Sequence, residues 1–140
     1  MKTVVPAQVE LHIPRSCEFV RVARKTAGAL AHQLQFTIHD VADIELAVSE
    51  ACTNAVEHVS DDECSEVVVR FSADEEKLVM EVVDRGPGFD PSCVSSAETA
   101  DGGVGGLGLL VIRSLMDELD ITCDQKTGTC VRMTKYRKQP

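Results

Sequence analysis

Three stretches of this 140-residue chain carry residue types at spacings that could do chemistry. In VADIELAVSEACTNAVEHV, residues 41–59, Glu50 and Asn54 lie four positions apart. On a helix that spacing sets one side chain a turn above the other, so both can address one ligand. A carboxylate can take the proton of an attacking hydroxyl. A carboxamide oxygen suits Mg²⁺, a hard cation that takes one or two protein oxygens beside nucleotide phosphates. Asparagine is a mediocre former of helix interiors, so Asn54 asks for a reason; a solvated polar face is the plain alternative. In VVDRGPGFDP, residues 82–91, a strand-like run ends in Asp84 and passes into Gly86, Pro87 and Gly88. This is either an Asp-capped turn or a fixed carboxylate that accepts a hydrogen bond from a base's amino group while two glycines admit the ring.

The third stretch, GGVGGLGLLVIRSLMDEL at 102–119, has five glycines in its first seven positions and then becomes apolar at helical spacing. A glycine-rich turn opening a helix offers unpaired N–H groups and the positive end of the helix dipole to an anion such as phosphate. Gly103, Gly105 and Gly108 spell G-x-G-x-x-G, but that dinucleotide fingerprint requires a strand running into it. The preceding PSCVSSAETAD shows no strand pattern, and no G-x-x-x-x-G-K-[ST] occurs anywhere. A Rossmann unit and a P-loop are therefore set aside.

These residues need elements to position them. Val9, Leu11 and Ile13 alternate as a first strand, and Cys17 to Leu34 repeats apolar residues at helical spacing with Ser16 as its cap. FTIHD then breaks the pattern, and a second helix is expected from about Val41 to Val59, its apolar face formed by Val41, Ile44, Val48, Ala51, Ala55 and Val59. Strands are expected at 66–73 and 77–84, followed by a loop from Arg85 to about Val104. That loop is too long for an idle connector. A third helix to about Glu118 and a closing strand pair around 126–128 complete the order β-α-α-β-β-loop-α-β-β. Hairpins in place of strand–helix alternation imply an α+β two-layer sandwich, with a mixed, mostly antiparallel sheet and helices on one face.

Length implies one domain over 1–140. A net charge of −9 argues against nucleic acid as a partner. No apolar run reaches the roughly 20 residues of a membrane span, and the N-terminal stretch lacks a signal peptide's apolar core, so a cytoplasmic protein is expected. The six cysteines form no C-x-x-C, which favours reduced, mostly buried thiols over disulfides or a zinc site.

Taken together, E-x-x-x-N on a helix, D-x-G-x-G after a strand and G-G-L-G-L opening a helix resemble the N, G1 and G2 boxes of the gyrase and histidine-kinase type of ATP-binding fold, the Bergerat fold. The short form, LAVSEACTNAVEHV, VVDRGPGFDP, GGLGLLVIRSLMDEL and GTCVRM, resembles the anti-sigma factor serine kinases that control bacterial sporulation and stress responses. The resemblance implies a serine/threonine-protein kinase using ATP and Mg²⁺, with Glu50 as general base and Asn54 as the Mg²⁺ ligand. It makes Asp84 the adenine-recognising carboxylate, with Gly86 and Gly88 shaping the pocket. Gly105, Gly106, Leu107 and Gly108 would take the phosphates, and Thr129 would support the base from the last strands. The segment from about Pro91 to Gly105 would be an ATP lid between the G1 and G2 boxes. Implied partners are an anti-anti-sigma (STAS-domain) protein as substrate, a sigma factor, and a second copy in a homodimer. A non-catalytic ATP-gated binding module and a histidine-kinase catalytic domain are the alternative readings.

Overall fold

A computed structural model of the chain describes residues 7–57, 66–84, 104–124 and 128–138. They form β1 (Ala7–Pro14), a 3-10 turn (Cys17–Phe19), α1 (Val20–Gln33), α2 (Ile38–Glu57), β2 (Glu66–Ala73), β3 (Lys77–Asp84), α3 (Val104–Leu115), β4 (Glu118–Asp124) and β5 (Gly128–Tyr136). The sheet runs β1-β2-β3-β5-β4, and each described ladder is antiparallel. The α+β layering expected from the hairpin order is what the chain adopts.

Period-two alternation decides which side of the sheet is covered. Val67, Val69, Phe71, Leu78, Met80, Val82 and Met133 point one way and meet Ala23, Ala27, Ile44, Val48, Ala51 and Ile112 of the helices in one core. On the other side the register aligns Glu10, Arg70, Glu81, Arg132 and Asp120 in a row across all five strands. Acid and base alternate along that row, and Arg70 Nε donates to Glu81 Oε1 at 3.2 Å.

Helix ends differ from the expected ones for local reasons. α2 starts at Ile38, inside the stretch that seemed to break the pattern, because Thr37 caps it: Asp40 N–H donates to Thr37 Oγ1 at 3.1 Å. Substituting Thr37→Ala is expected to cost about 1 kcal/mol, read as a fall of a few degrees in Tm. Ser16 does not cap α1; a 3-10 turn intervenes, and the Ser16 side chain makes no capping bond. α1 closes instead in a Schellman turn, with Gln35 N–H donating to His32 O at 3.0 Å and Phe36 N–H to Ala31 O at 3.1 Å. That turn holds Gln35 at φ 67.

α3 ends at Leu115, short of Glu118, because Asp117 N–H already donates to Thr134 O at 2.9 Å and begins the β4–β5 pairing. The buried Lys135 holds this corner, its Nζ donating to Leu115 O at 2.7 Å and lying 3.9 Å from the buried Asp40 of α2. The cysteines are less uniformly buried than expected. Cys52 is buried, and burial pushes its thiol up to about 12, whereas Cys17 is exposed on the 3-10 turn; both are free thiols. Among the described residues no helix is long and apolar enough to cross a membrane.

Candidate functional site

α2 buries Ile44, Ala47, Val48, Ala51, Cys52 and Ala55 against the sheet and its neighbouring helices. The same 3.6-residue period leaves Glu50 and Asn54 half-buried along one edge, one turn apart. α3 crosses that edge at Gly108, which is buried. A Cβ on Gly108 would lie 2.9 Å from Asn54 Nδ2, 3.1 Å from Asn54 Oδ1 and 3.3 Å from Glu50 Oε2. Glycine is needed here for close approach: the helix backbone itself forms one wall of the Glu50–Asn54 site.

Gly105, Gly106 and Leu107 stand in the first turn of α3, which begins at Val104. The N–H groups of a helix's first turn have no acceptors within the helix, and they carry the positive end of its dipole. The expected boundary, with a lid reaching to Gly105, is thus corrected: Val104 and Gly105 are already helical. Helix-breaking propensity, roughly 1 kcal/mol per glycine, yields here to the packing of α3 on α2. The remainder of the expected lid, and Gly86 and Gly88, lie outside the described residues.

Asp84 is the last residue of β3, and the ladder sets it directly opposite Thr129 of β5. Both are buried. The sequence singles out these two residues but not the group that contacts Asp84, Arg15, which follows the last residue of β1. Its Nη2 donates to Asp84 Oδ1, while Nη1 donates to Asp84 Oδ2 at 3.3 Å and to Ala55 O at 2.7 Å. The side chains of Arg15 and Asp84 are only 6% and 9% exposed, so removing either partner leaves a buried charge and costs about 3–5 kcal/mol. Ala55 follows Asn54, so Arg15 ties the Asp84 end of the site to the helix that carries Glu50 and Asn54. No spacing signal in the sequence links Arg15 to Asp84, which is 69 positions away.

The site therefore offers a carboxylate and a carboxamide against the N-terminal turn of a helix, beside a second, buried carboxylate. The donor set is compatible with Mg²⁺ held together with a nucleotide: Asn54 Oδ1 is a neutral oxygen of the kind that can ligate it, beside a helix backbone, and Mg²⁺ asks for few protein ligands in such sites. Among the described residues no group of three or more His, Cys, Asp or Glu could hold a metal by itself.

Residues 13–135 match the family model of the histidine kinase-like ATPase domain. The chain is 39% identical over 137 residues to the serine-protein kinase RsbW of Bacillus velezensis, an alignment covering 91% of this chain and 84% of that protein. The chain belongs to the anti-sigma factor serine kinase family. Another relative, the serine-protein kinase RsbW of Bacillus subtilis, is 36% identical with the same coverage of both chains. In fold, this serine-kinase family member resembles the RsbU and RsbW domains of a Mycobacterium tuberculosis protein, with a TM-score of 0.71 at 21% identity. That match covers 96% of this chain and 33% of the other. The histidine kinase domain of a blue-light activated histidine kinase from Erythrobacter litoralis gives a TM-score of 0.58 at 26% identity, over 88% of this chain and 61% of that one.

Proposed function

We propose that this chain is a Mg²⁺-ATP-dependent protein-serine kinase that phosphorylates an anti-anti-sigma protein and, in its other state, holds a sigma factor by partner switching. Family membership supports the kinase class and the use of ATP. The observation that carries the assignment to residues is the convergence of Glu50, Asn54 and the Gly108 backbone.

Bound Mg²⁺-ATP supplies the phosphoryl group to be transferred. Asn54 would hold the metal through Oδ1, and the N-terminal turn of α3 at Gly105, Gly106 and Leu107 would face the phosphate oxygens, with the bare backbone of Gly108 as the wall beside them. Glu50 would accept the proton from the partner's serine hydroxyl as its oxygen bonds to the terminal phosphorus and the bond from that phosphorus to the leaving ADP breaks, and the preorganised helix end would stabilise the charge on the transferred group. Asp84, next to Thr129, would accept a hydrogen bond from the amino group of adenine, since an ionised carboxylate is an acceptor only.

The substitution Asp84→Asn is expected to weaken ATP binding by about 10–100-fold, because a hydrogen bond to a charged group contributes about 1.5–3 kcal/mol and each 1.4 kcal/mol is tenfold. Titration calorimetry with ATP reads this directly. The function itself is tested by incubating the protein with labelled Mg²⁺-ATP and an anti-anti-sigma protein. Acid-stable label on the partner is the expected result. Acid-labile label would point to histidine transfer, and ATP binding without label on any partner would point to a nucleotide-gated binding module.

A further inference from the structure

We propose that Arg15 is a latch on the base subsite: its guanidinium and the amino group of the bound base compete for Asp84, so Arg15 sets the nucleotide affinity of this chain. The inference rests on the reading of Asp84 as the base-recognising carboxylate.

Three observations carry it. The guanidinium contacts both oxygens of Asp84, and a fork that takes both is the geometry by which arginine grips a carboxylate. The carboxylate is nearly enclosed in this arrangement, 9% exposed, so both of its oxygens are engaged by the guanidinium before any base binds. Finally, the backbone at Arg15 is fixed by bonds that do not involve its side chain. Residues 15 and 16 join β1 to the 3-10 turn, Ser16 N–H donates to Pro14 O at 2.8 Å, and Phe19 N–H donates to Ser16 O at 3.0 Å. Rotation about the Arg15 side chain would thus release Asp84 without disturbing β1.

The latch also holds the last turn of α2, through Nη1 donating to Ala55 O at 2.7 Å. A cation near the carbonyl end of a helix is favourable there. Opening the latch releases Asp84 for the base and removes a tether beside Asn54, which couples the two halves of the site. The free chain is stabilised by the closed pair, and nucleotide must bind from the smaller open population. Apparent affinity falls in proportion to that population.

The test is titration calorimetry of ADP with Mg²⁺ against the full chain, as wild type, Arg15→Met, Arg15→Lys and Arg15→Lys combined with Asp84→Asn, with circular dichroism and thermal unfolding on each. Arg15→Met is expected to bind ADP at least about tenfold more tightly, the gain expected when a closed state holding about nine-tenths of the molecules or more is removed. Its free form should unfold at a lower temperature, and ADP should raise that temperature by more than in wild type. Arg15→Lys, which keeps the charge without the fork, should bind ADP more tightly than wild type by a smaller factor and covers the case in which Arg15→Met does not fold. Unchanged or weaker ADP binding in Arg15→Lys, or in folded Arg15→Met, overturns the latch and leaves Arg15 a structural partner of Asp84. Asp84→Asn added to Arg15→Lys, where the fork is already gone, should weaken ADP binding; affinity unchanged from Arg15→Lys alone overturns the reading of Asp84 itself, a different result from failure of the latch.

Discussion

Replacing Glu50 with alanine is expected to lower phosphoserine formation by about 10²–10⁴-fold, the range of a positioned general base, while ATP still binds. The reasoning is geometric. Glu50 lies one turn below Asn54 on the edge of α2, and its Oε2 faces the same point of α3 as the Asn54 carboxamide. In the proposed mechanism a group there would face both the attacking hydroxyl and the terminal phosphate. Glu50 stands apart from the cluster of Asp84, Thr129 and Arg15 that we propose as the base subsite. Removing its carboxylate should therefore reduce kcat and leave nucleotide affinity nearly as it was, the signature of an interaction made in the transition state. Single-turnover transfer and nucleotide titration on the same preparation separate the two. Equal loss of both would make Glu50 a binding residue.

Gly108→Ala should produce the opposite of the usual relation between stability and activity. Alanine is favoured over glycine in a helix interior by roughly 1 kcal/mol, and Gly108 is not at positive φ, so the backbone itself accepts the change. The new methyl group, however, would sit 2.9 Å from Asn54 Nδ2. The cheapest relief is movement of the Asn54 side chain, since its amide is a side-chain terminus. The expected variant is folded, with Tm equal to or above wild type. Its phosphotransfer should be lower by about 100-fold, because a displacement of about 1 Å in a positioning group can cost that much. Thermal unfolding and initial rates in parallel read it. Wild-type rates in the folded variant would mean that the contact between α3 and Asn54 has no part in catalysis.

The hairpin β2–β3 was legible to the residue, at 66–73 and 77–84, because strict alternation over a buried face leaves little freedom in register. Glu50 and Asn54 were legible for a similar reason: their stripe is set by helical period alone. What escaped depends on contacts between distant segments. Thr37 escapes apolar spacing because a capping residue interrupts the apolar period just where the helix begins. The resemblance ends the lid at about Gly105, whereas the packing of α3 on α2 starts the helix at Val104 in spite of the low helix propensity of glycine. Arg15 offered no local sign at all; its role exists only once β1 and β3 lie in one sheet with α2 above them.

The most direct test of the kinase assignment is mass spectrometry of an anti-anti-sigma partner after incubation with Mg²⁺-ATP and either wild-type protein or the Glu50→Ala variant. Phosphate on a single serine, formed by wild type and absent with the variant, is the predicted result. An unmodified partner in both samples, with ATP binding confirmed in each, would contradict it.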